Sequence, residues 1–220
     1  HKMDLEHFAM TKPHIPRRTA DLTQCEFSSS VPPLLQRIYA ARGAENDRAL
    51  ARTLQGLPGP DGLLGIDEAV ALLEQAINEQ QSVLIIGDFD ADGATSTALT
   101  LLALRAMGFS RVSYIVPNRF EYGYGLTPEI VELAKQQTPD LIITVDNGIS
   151  SVSGVEAAKA AGIKVLITDH HLPGAQLPAA DAIVNPNQHG CEFPGKNLAG
   201  VGVVFYLMSA LRKRLRERGW

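Results

Sequence analysis

The chain has 220 residues, enough for one large α/β domain or for one domain with a terminal appendage. Its composition is 45% hydrophobic and 20% charged, and no apolar run reaches the roughly 18 residues of a membrane helix, so we expect a globular protein without a membrane span. The net charge of −4 provides no general attraction to nucleic acid, although carboxylates clustered around cations would leave the outer surface less acidic than this count suggests.

The first part of the chain is predicted to be an irregular arm followed by short helices. Met10 is interpreted as a natural initiator that follows added residues. Apolar residues at helical spacing predict a helix over Leu34–Tyr39 and another over Asp47–Leu54, before a linker rich in Gly and Pro. The predicted divisions are 1–30 as added residues and flexible arm, 31–65 as helical lead-in and linker, and 66–220 as the core domain.

The core domain begins with a predicted helix over Ile66–Asn78, and from Ser82 short apolar strands alternate with amphipathic helices. This alternation predicts an α/β fold with a doubly wound, mainly parallel five-stranded sheet. The predicted strands are Val83–Gly87, Val112–Val116, Leu141–Val145, Lys164–Thr168 and Ala182–Val184. The predicted helices are Ala94–Met107, Pro128–Gln136, Gly154–Ala160 and a last one that starts between Asn197 and Val203 and runs towards Arg218.

Acidic residues and histidines follow the ends of three separate predicted strands. The C-terminal ends of parallel strands share one edge of a sheet, so the fold is expected to bring these sequence-distant side chains together. They are Asp88, Asp90 and Asp92 after the first strand, Asp146 after the third, and Asp169, His170 and His171 after the fourth. A single Asp after a strand is more often a helix cap than a ligand, and the joint pattern carries the prediction of a site.

Carboxylates this close together repel one another unless a cation lies among them. Oxygen ligands suit Mg²⁺, a neighbouring imidazole favours Mn²⁺, and the absence of nearby cysteines argues against structural zinc. The number of ligands suits two ions about 3.5–4 Å apart, which activate a water for in-line phosphoryl displacement. The predicted reaction is therefore metal-dependent hydrolysis of a phosphate ester or anhydride.

Several motifs in the chain resemble those of a known enzyme superfamily. The stretches Asp88–Gly93 (DFDADG), Val145–Gly148 (VDNG) and Asp169–His171 (DHH) look like the first three motifs of the DHH phosphoesterases. Three further stretches resemble the RecJ-type nucleases of that superfamily in particular: Val116–Leu126, Val184–Asn187 and Leu198–Gly202. The resemblance runs from about Pro32 to the last residue.

The resemblance implies roles for the clustered residues. Asp90 would bind one metal and Asp92 the other, with Asp146 bridging them and His170 binding the second ion; Asp88 is a further candidate ligand. Asp169 would not bind a metal itself but would hold His170 in the correct tautomer. The side chain of His171 would contact the scissile phosphate or protonate the leaving group. The implied catalytic set is Asp90, Asp92, Asp146, Asp169, His170 and His171.

The segment after the second strand offers contacts for nucleic acid. Arg119 could bind a phosphate, and the neighbouring aromatic residues Phe120, Tyr122 and Tyr124 could stack on bases. Alternatively, these aromatic residues close a small core while Arg119 pairs with an acid. Gly200 and Gly202 admit a phosphate close to the backbone or let the last helix pack on the sheet. The nucleic-acid set is Asn118, Arg119, Tyr122, Tyr124, Gly200 and Gly202.

The superfamily has a fourth metal-binding Asp motif after the last helix, and the chain reaches Trp220 before it. We therefore expect a truncated catalytic core with reduced or absent occupancy of at least one metal. The resemblance implies a 5′-to-3′ single-stranded DNA exonuclease of repair and recombination. A pyrophosphatase or oligonucleotide phosphatase of the same superfamily and a degenerate, non-enzymatic scaffold that binds DNA or replication partners are alternatives.

The setting of the protein follows from its cysteines and from the resemblance. Cys25 and Cys191 lie far apart in sequence and outside any metal-binding spacing, which favours reduced thiols in the cytoplasm. The resemblance implies single-stranded DNA as the substrate, with a helicase and a single-strand-binding protein as partners. We expect a monomer.

Overall fold

A computed structural model describes residue 16 and residues 19–51 and 53–220. Met10 and residues 11–15, 17 and 18 of the predicted arm lie outside these described residues. The chain forms two compact units, 1–57 and 58–220, which are considered separately. The predicted boundaries after residues 30 and 65 stay predictions.

The first unit contains short helical elements. Helix α1 spans Pro33–Ala40, with a proline at its start where the missing N–H is not needed. The helix predicted over Asp47–Leu54 instead forms two 3₁₀ turns, Asp47–Leu50 and Leu54–Gly56. The side chain of Asn46 caps the first turn by accepting the Ala49 N–H, which favours a short local turn over a longer helix.

The second unit is built around five parallel strands in the order β2-β1-β3-β4-β5. The strands are β1 Val83–Ile86, β2 Val112–Ile115, β3 Leu141–Val145, β4 Lys164–Thr168 and β5 Ala182–Val184. The helices are α2 Ile66–Asn78, α3 Ala91–Ala106, α4 Arg119–Tyr122, α5 Pro128–Lys135, α6 Val152–Ala160 and α7 Gly200–Glu217. The predicted fold class is therefore confirmed, and the sheet is parallel throughout.

Alternate residues of the central strands face two separate hydrophobic cores. On one face, Val83 and Ile85 of β1 pack with α2, α3 and α7. On the other face, Leu84 and Ile86 of the same strand pack with α5 and α6. All four residues are essentially inaccessible to solvent, which explains why the strands are continuous apolar runs. The two helical layers leave the C-terminal edge of the sheet open.

Several helix positions at that edge differ from the sequence prediction; α6, for example, begins at Val152, two residues before the predicted Gly154. Helix α3 begins three residues earlier than predicted, because Asp90 caps it by accepting the Gly93 N–H at 2.9 Å. A Cβ on Gly93 would meet the carbonyl oxygen of Asp88 at 2.4 Å, so this tight entry requires glycine. The one-turn α4 was not predicted, and Asn118 caps it. Helix α7 begins at Gly200, between the two predicted starts.

In the part of the chain that the structure describes, no helix has both the length and the apolar character needed to cross a membrane.

Candidate metal centre

The acidic and histidine residues converge at the C-terminal edge of the sheet, as their positions after the strands predict. Asp146, His170 and His171 each place one ligand atom within 4.8 Å of the others. Asp88, Asp90 and Asp146 form a second group with the same spacing. Since Asp146 belongs to both groups, it lies where a bridging ligand between two ions would lie.

Asp146 is the most constrained of these residues. Its side chain is only 2% exposed, and its Oδ1 atom has no hydrogen-bond partner. The Nε2 atom of His170 lies 3.1 Å from this oxygen, but the contact lacks the alignment of a hydrogen bond. The backbone of Asp146 has a φ of +60°, a left-handed conformation that costs energy for a residue with a side chain.

Electrostatics also marks Asp146 as a position for a cation. Burial, followed by the charges of Asp92 and Asp90, raises the pKa of the Asp146 carboxyl to about 7. A carboxylate in this environment has no compensating donor, and a bound cation would supply the missing charge. The unpartnered Oδ1 and the imidazole nitrogen beside it therefore fit a divalent metal with mixed oxygen and nitrogen ligands.

Asp92 has a connection that the sequence did not reveal. Its Oδ2 accepts the N–H of Gly200 at 2.7 Å, and its Oδ1 accepts the N–H of Val201 at 2.8 Å. The carboxylate thus binds the N-terminus of α7, where the helix dipole favours negative charge. Its Oδ2 also lies 3.6 Å from Nε2 of His170, at the border of the cluster.

Gly200 is explained by close packing at this point. A Cβ there would lie 2.5 Å from Oδ1 of Asp146, so only glycine lets α7 approach the carboxylate. Gly202 is also closely packed, since a Cβ there would lie 2.5 Å from a side-chain carbon of Leu198. For both glycines the structure provides the packing explanation, and contact with nucleic acid stays a prediction.

The buried carboxylate of Asp169 organises the loop after β4. Its Oδ1 accepts the backbone N–H groups of His170 and His171, and its Oδ2 accepts that of Ile149. We expected Asp169 to orient the ring of His170, but the structure places its Oδ1 2.7 Å from Nδ1 of His171. Although burial lowers the pKa of His171, the hydrogen bond to Asp169 and nearby carboxylates raise it overall.

Two side-chain amides that follow β5 support the same loop. Asn187 donates to the carbonyl of His170 at 2.6 Å, and Asn185 donates to that of His171 at 2.9 Å. Asn185 is fully buried. The sequence signal for this role was an Asn directly after β5, the strand that neighbours β4. Adjacent strand ends share the site, and a buried Asn there needs hydrogen-bond partners.

Tyr124 is tied to the cluster through its hydroxyl. The hydroxyl donates to the backbone carbonyl of Asp146 at 3.3 Å and lies 3.2 Å from Nδ1 of His171. Burial, followed by the charges of Asp169, Asp88 and Asp146, raises the pKa of Tyr124 well above its usual value, so the phenol stays protonated. The ring remains half exposed.

The other predicted nucleic-acid residues differ in their availability. Tyr122 is partly buried against the hydrophobic core, and its stacking on a base stays a prediction. Asn118 uses its side chain to cap α4 and to donate to Glu121 at 3.0 Å. Arg119 pairs with Asp88 through two contacts of 3.0 and 3.2 Å. Phe120, by contrast, is 93% exposed beside the site.

The fold and the site together define a class: a doubly wound α/β protein whose carboxylate and histidine cluster is suited to divalent metal ions. Within that class the chain belongs to the DHH family, because residues 82–219 match the family described as "DHH family, N-terminal domain". The resemblance predicted from the sequence motifs is confirmed.

Comparison with curated proteins and solved structures identifies similar proteins. The chain is 57% identical over 204 residues to the single-stranded-DNA-specific exonuclease RecJ of Salmonella typhimurium. The matched region covers 93% of this chain and 35% of that protein. A crystal structure of exonuclease RecJ bound to manganese matches with a TM-score of 0.64 and 38% identity, over 72% of this chain and 39% of that one.

A structure of RecJ from Thermus thermophilus in complex with Mn²⁺ also has a TM-score of 0.64, with 30% identity over 88% of this chain and 29% of that one. The chain thus spans about a third of the length of the curated RecJ proteins of Salmonella typhimurium, Escherichia coli and Dickeya dadantii.

Proposed function

We propose that the chain is the catalytic core of a metal-dependent 5′-to-3′ exonuclease that hydrolyses phosphodiester bonds of single-stranded DNA. The observation that carries this proposal is the buried, unpartnered Oδ1 of Asp146 beside Nε2 of His170, at the edge where three acidic loops meet. A relative 57% identical is a single-stranded-DNA-specific exonuclease, which supports the choice of substrate.

Asp90, Asp146 and His170 are the proposed metal ligands that each have a donor atom free of hydrogen bonds within the described chain, and Asp92 completes the set. Asp90 uses one oxygen to cap α3, which leaves the other available. Mn²⁺ or Mg²⁺ bound there would lower the pKa of a water and offset the charge of the phosphate. Related RecJ structures hold manganese, which supports Mn²⁺ as the first ion to test.

The remaining residues act on the substrate directly or orient those that do. Asp169 holds His171 with Nδ1 towards its carboxylate, which directs the other ring nitrogen away from Asp169. This arrangement suits a group that contacts the scissile phosphate or protonates the leaving oxygen. The protonated hydroxyl of Tyr124 fixes the same ring from a second side. Both contacts restrain the ring before substrate binds.

The preference for a single strand is supported by exposed aromatic rings beside the cluster. Phe120 is 93% exposed, and Phe89 is 53% exposed although Arg119 lies over its ring, so both rings present large apolar areas to solvent. Unpaired bases present their faces for stacking on such rings, whereas duplex bases do not. A pyrophosphatase would have no use for these rings.

For the whole protein we propose action in the cytoplasm as a monomer, with a helicase and a single-strand-binding protein as partners in repair. The domain divisions predicted from the sequence are part of the same proposal. These statements rest on the family resemblance and on the similarity to RecJ proteins.

The proposal is tested with the full-length protein that contains this chain, purified free of metal. Mn²⁺ should restore release of nucleotides from 5′-labelled single-stranded DNA, with little release from a duplex and none from pyrophosphate. Turnover of pyrophosphate alone would contradict the exonuclease. Binding of DNA without turnover in any metal would identify a non-enzymatic scaffold instead.

A further inference from the structure

Asp88 belongs to the acidic cluster by position, but its surroundings differ from those of the other carboxylates. Its Oδ1 accepts the backbone N–H of Phe89 at 2.8 Å and faces Nη2 of Arg119 at 3.2 Å. Its Oδ2 lies 3.0 Å from the same nitrogen, and the side chain of Asp88 is only 10% exposed. Both oxygens have donors, as do those of Asp92, but at Asp88 one donor is a guanidinium that neutralises the charge.

The guanidinium of Arg119 is held on more than one side. Its central carbon lies 4.1 Å from the centre of the Phe89 ring and 5.1 Å from that of Tyr124. The aromatic faces and the carboxylate of Asp88 together restrict the side chain to one orientation. Its Nε atom is buried and has no hydrogen-bond partner, so at least one donor of this cation is unused.

A metal ion on Asp88 would conflict with this arrangement. The ion would lie beside a guanidinium whose nitrogen is 3.0 Å from the same oxygen, and the two positive charges would repel each other. Asp146 Oδ1, in contrast, has no donor and no neighbouring arginine contact. The spacing of the ligand atoms groups Asp88 with Asp90 and Asp146. Asp88 differs from them because the charge of its carboxylate is already neutralised by Arg119.

We infer that Asp88 is a positioning residue that, together with Phe89, fixes the guanidinium of Arg119 at the edge of the metal centre for a phosphate of the bound strand. The inference rests on the proposed function, because it requires a nucleic-acid substrate there. It replaces the metal-ligand role of Asp88 predicted from the sequence. A pre-oriented arginine binds a phosphate without losing further side-chain freedom.

The test compares Asp88→Asn, Arg119→Ala and the double variant with Asp146→Asn. Asp67→Asn, an exposed residue in the first turn of α2, is the matched control. Mn²⁺ binding is measured by calorimetry. The affinity for a fluorescent oligothymidylate is measured by anisotropy in EDTA at several salt concentrations. Thermal unfolding of each variant shows whether it folds.

Asp88→Asn should weaken DNA binding about tenfold, as expected for a charge-assisted contact that is no longer aligned. The slope of log K against log salt should fall by about 0.7, which corresponds to one lost phosphate contact on a single strand. Arg119→Ala should give the same slope, and the double variant should bind no more weakly than Arg119→Ala alone. The Mn²⁺ affinity should change by less than about threefold in Asp88→Asn.

Loss of Mn²⁺ binding in Asp88→Asn to the extent seen in Asp146→Asn would overturn the inference and make Asp88 a metal ligand. An unchanged salt slope, or additive losses in the double variant, would also overturn it, since the ion pair would then be only structural. Failure of the unmodified chain to bind both Mn²⁺ and DNA would contradict the proposed function itself.

Discussion

Two carboxylates at the same edge of the sheet have opposite surroundings. Asp88 follows β1 and is neutralised by Arg119 at 3.0 Å. Asp146 follows the adjacent strand β3 and its Oδ1 has no partner; burial, followed by the charges of Asp92 and Asp90, raises its pKa to about 7. The difference shows that position after a strand brings a carboxylate to the site, while its neighbours determine whether it can bind a metal.

The largest expected effect comes from removing the unpartnered carboxylate. Asp146→Ala should lower Mn²⁺-dependent cleavage by the full-length protein by on the order of a thousandfold, because the proposed bridging ligand is lost. Release of labelled nucleotides measures the effect. The control Asp67→Asn should retain the unmodified rate. If Asp146→Ala cleaves at that rate as well, the contrast between Asp146 and Asp88 has no functional meaning.

A methyl group at Gly200 would disturb the same region without removing a charge. Since its Cβ would lie 2.5 Å from Oδ1 of Asp146, Gly200→Ala should displace α7 and weaken Mn²⁺ binding by more than about tenfold. It should also lower the free energy of unfolding by about 1–3 kcal/mol. Calorimetry and denaturant unfolding measure the two effects.

The matched control for Gly200→Ala is Gly56→Ala, where a Cβ meets no atom closer than 4.0 Å. This control should leave Mn²⁺ binding as it is in the unmodified chain. Equal metal affinity in Gly200→Ala and Gly56→Ala would show that the close approach of α7 to Asp146 is unimportant for the site.

Asp169→Asn tests the support of the histidine loop. The amide can accept fewer of the three backbone N–H groups and no longer attracts a charged His171 ring. Cleavage should fall about 10–100-fold, as for other residues that orient a metal-site histidine. A fall in cleavage without any change in the NMR titration of His171 would contradict the assignment of Asp169 to that ring.

The smallest expected effect concerns Phe120, which is almost fully exposed. Phe120→Ala should leave the melting temperature unchanged, because the ring contributes little to the core, and weaken DNA binding by about 1 kcal/mol through lost stacking. Anisotropy with oligothymidylate measures the effect. Phe120→Leu keeps an apolar side chain without an aromatic face, and affinity equal to the unmodified chain in that variant would exclude stacking.

The sequence predicted the fold and the meeting of the acidic loops because both follow from local patterns. Strand ends of a parallel sheet share an edge, so the convergence of Asp88, Asp146 and Asp169 needed no knowledge of distant contacts. The partners of each oxygen could not be predicted in this way. Asp92 binds backbone N–H groups more than 100 residues away, and only the packing of α7 brings them there.

The sequence also could not show that Asp169 contacts the ring of His171 and not that of His170. The spacing of Asp169, His170 and His171 allows either histidine to face the carboxylate. In the folded chain Asn185 and Asn187 donate to the two histidine carbonyls and support the turn in which His171 faces Asp169. Arg119 is a similar case, since its partner Asp88 lies 31 residues away on a different loop.

The most direct test of this account is anomalous diffraction at the manganese edge from crystals of the chain soaked in Mn²⁺. We expect a peak about 2–2.3 Å from Oδ1 of Asp146 and Nε2 of His170, with the Asp88–Arg119 pair intact and no ion on Asp88. A peak on Asp88 with Arg119 displaced, or no peak beside Asp146, would contradict the account.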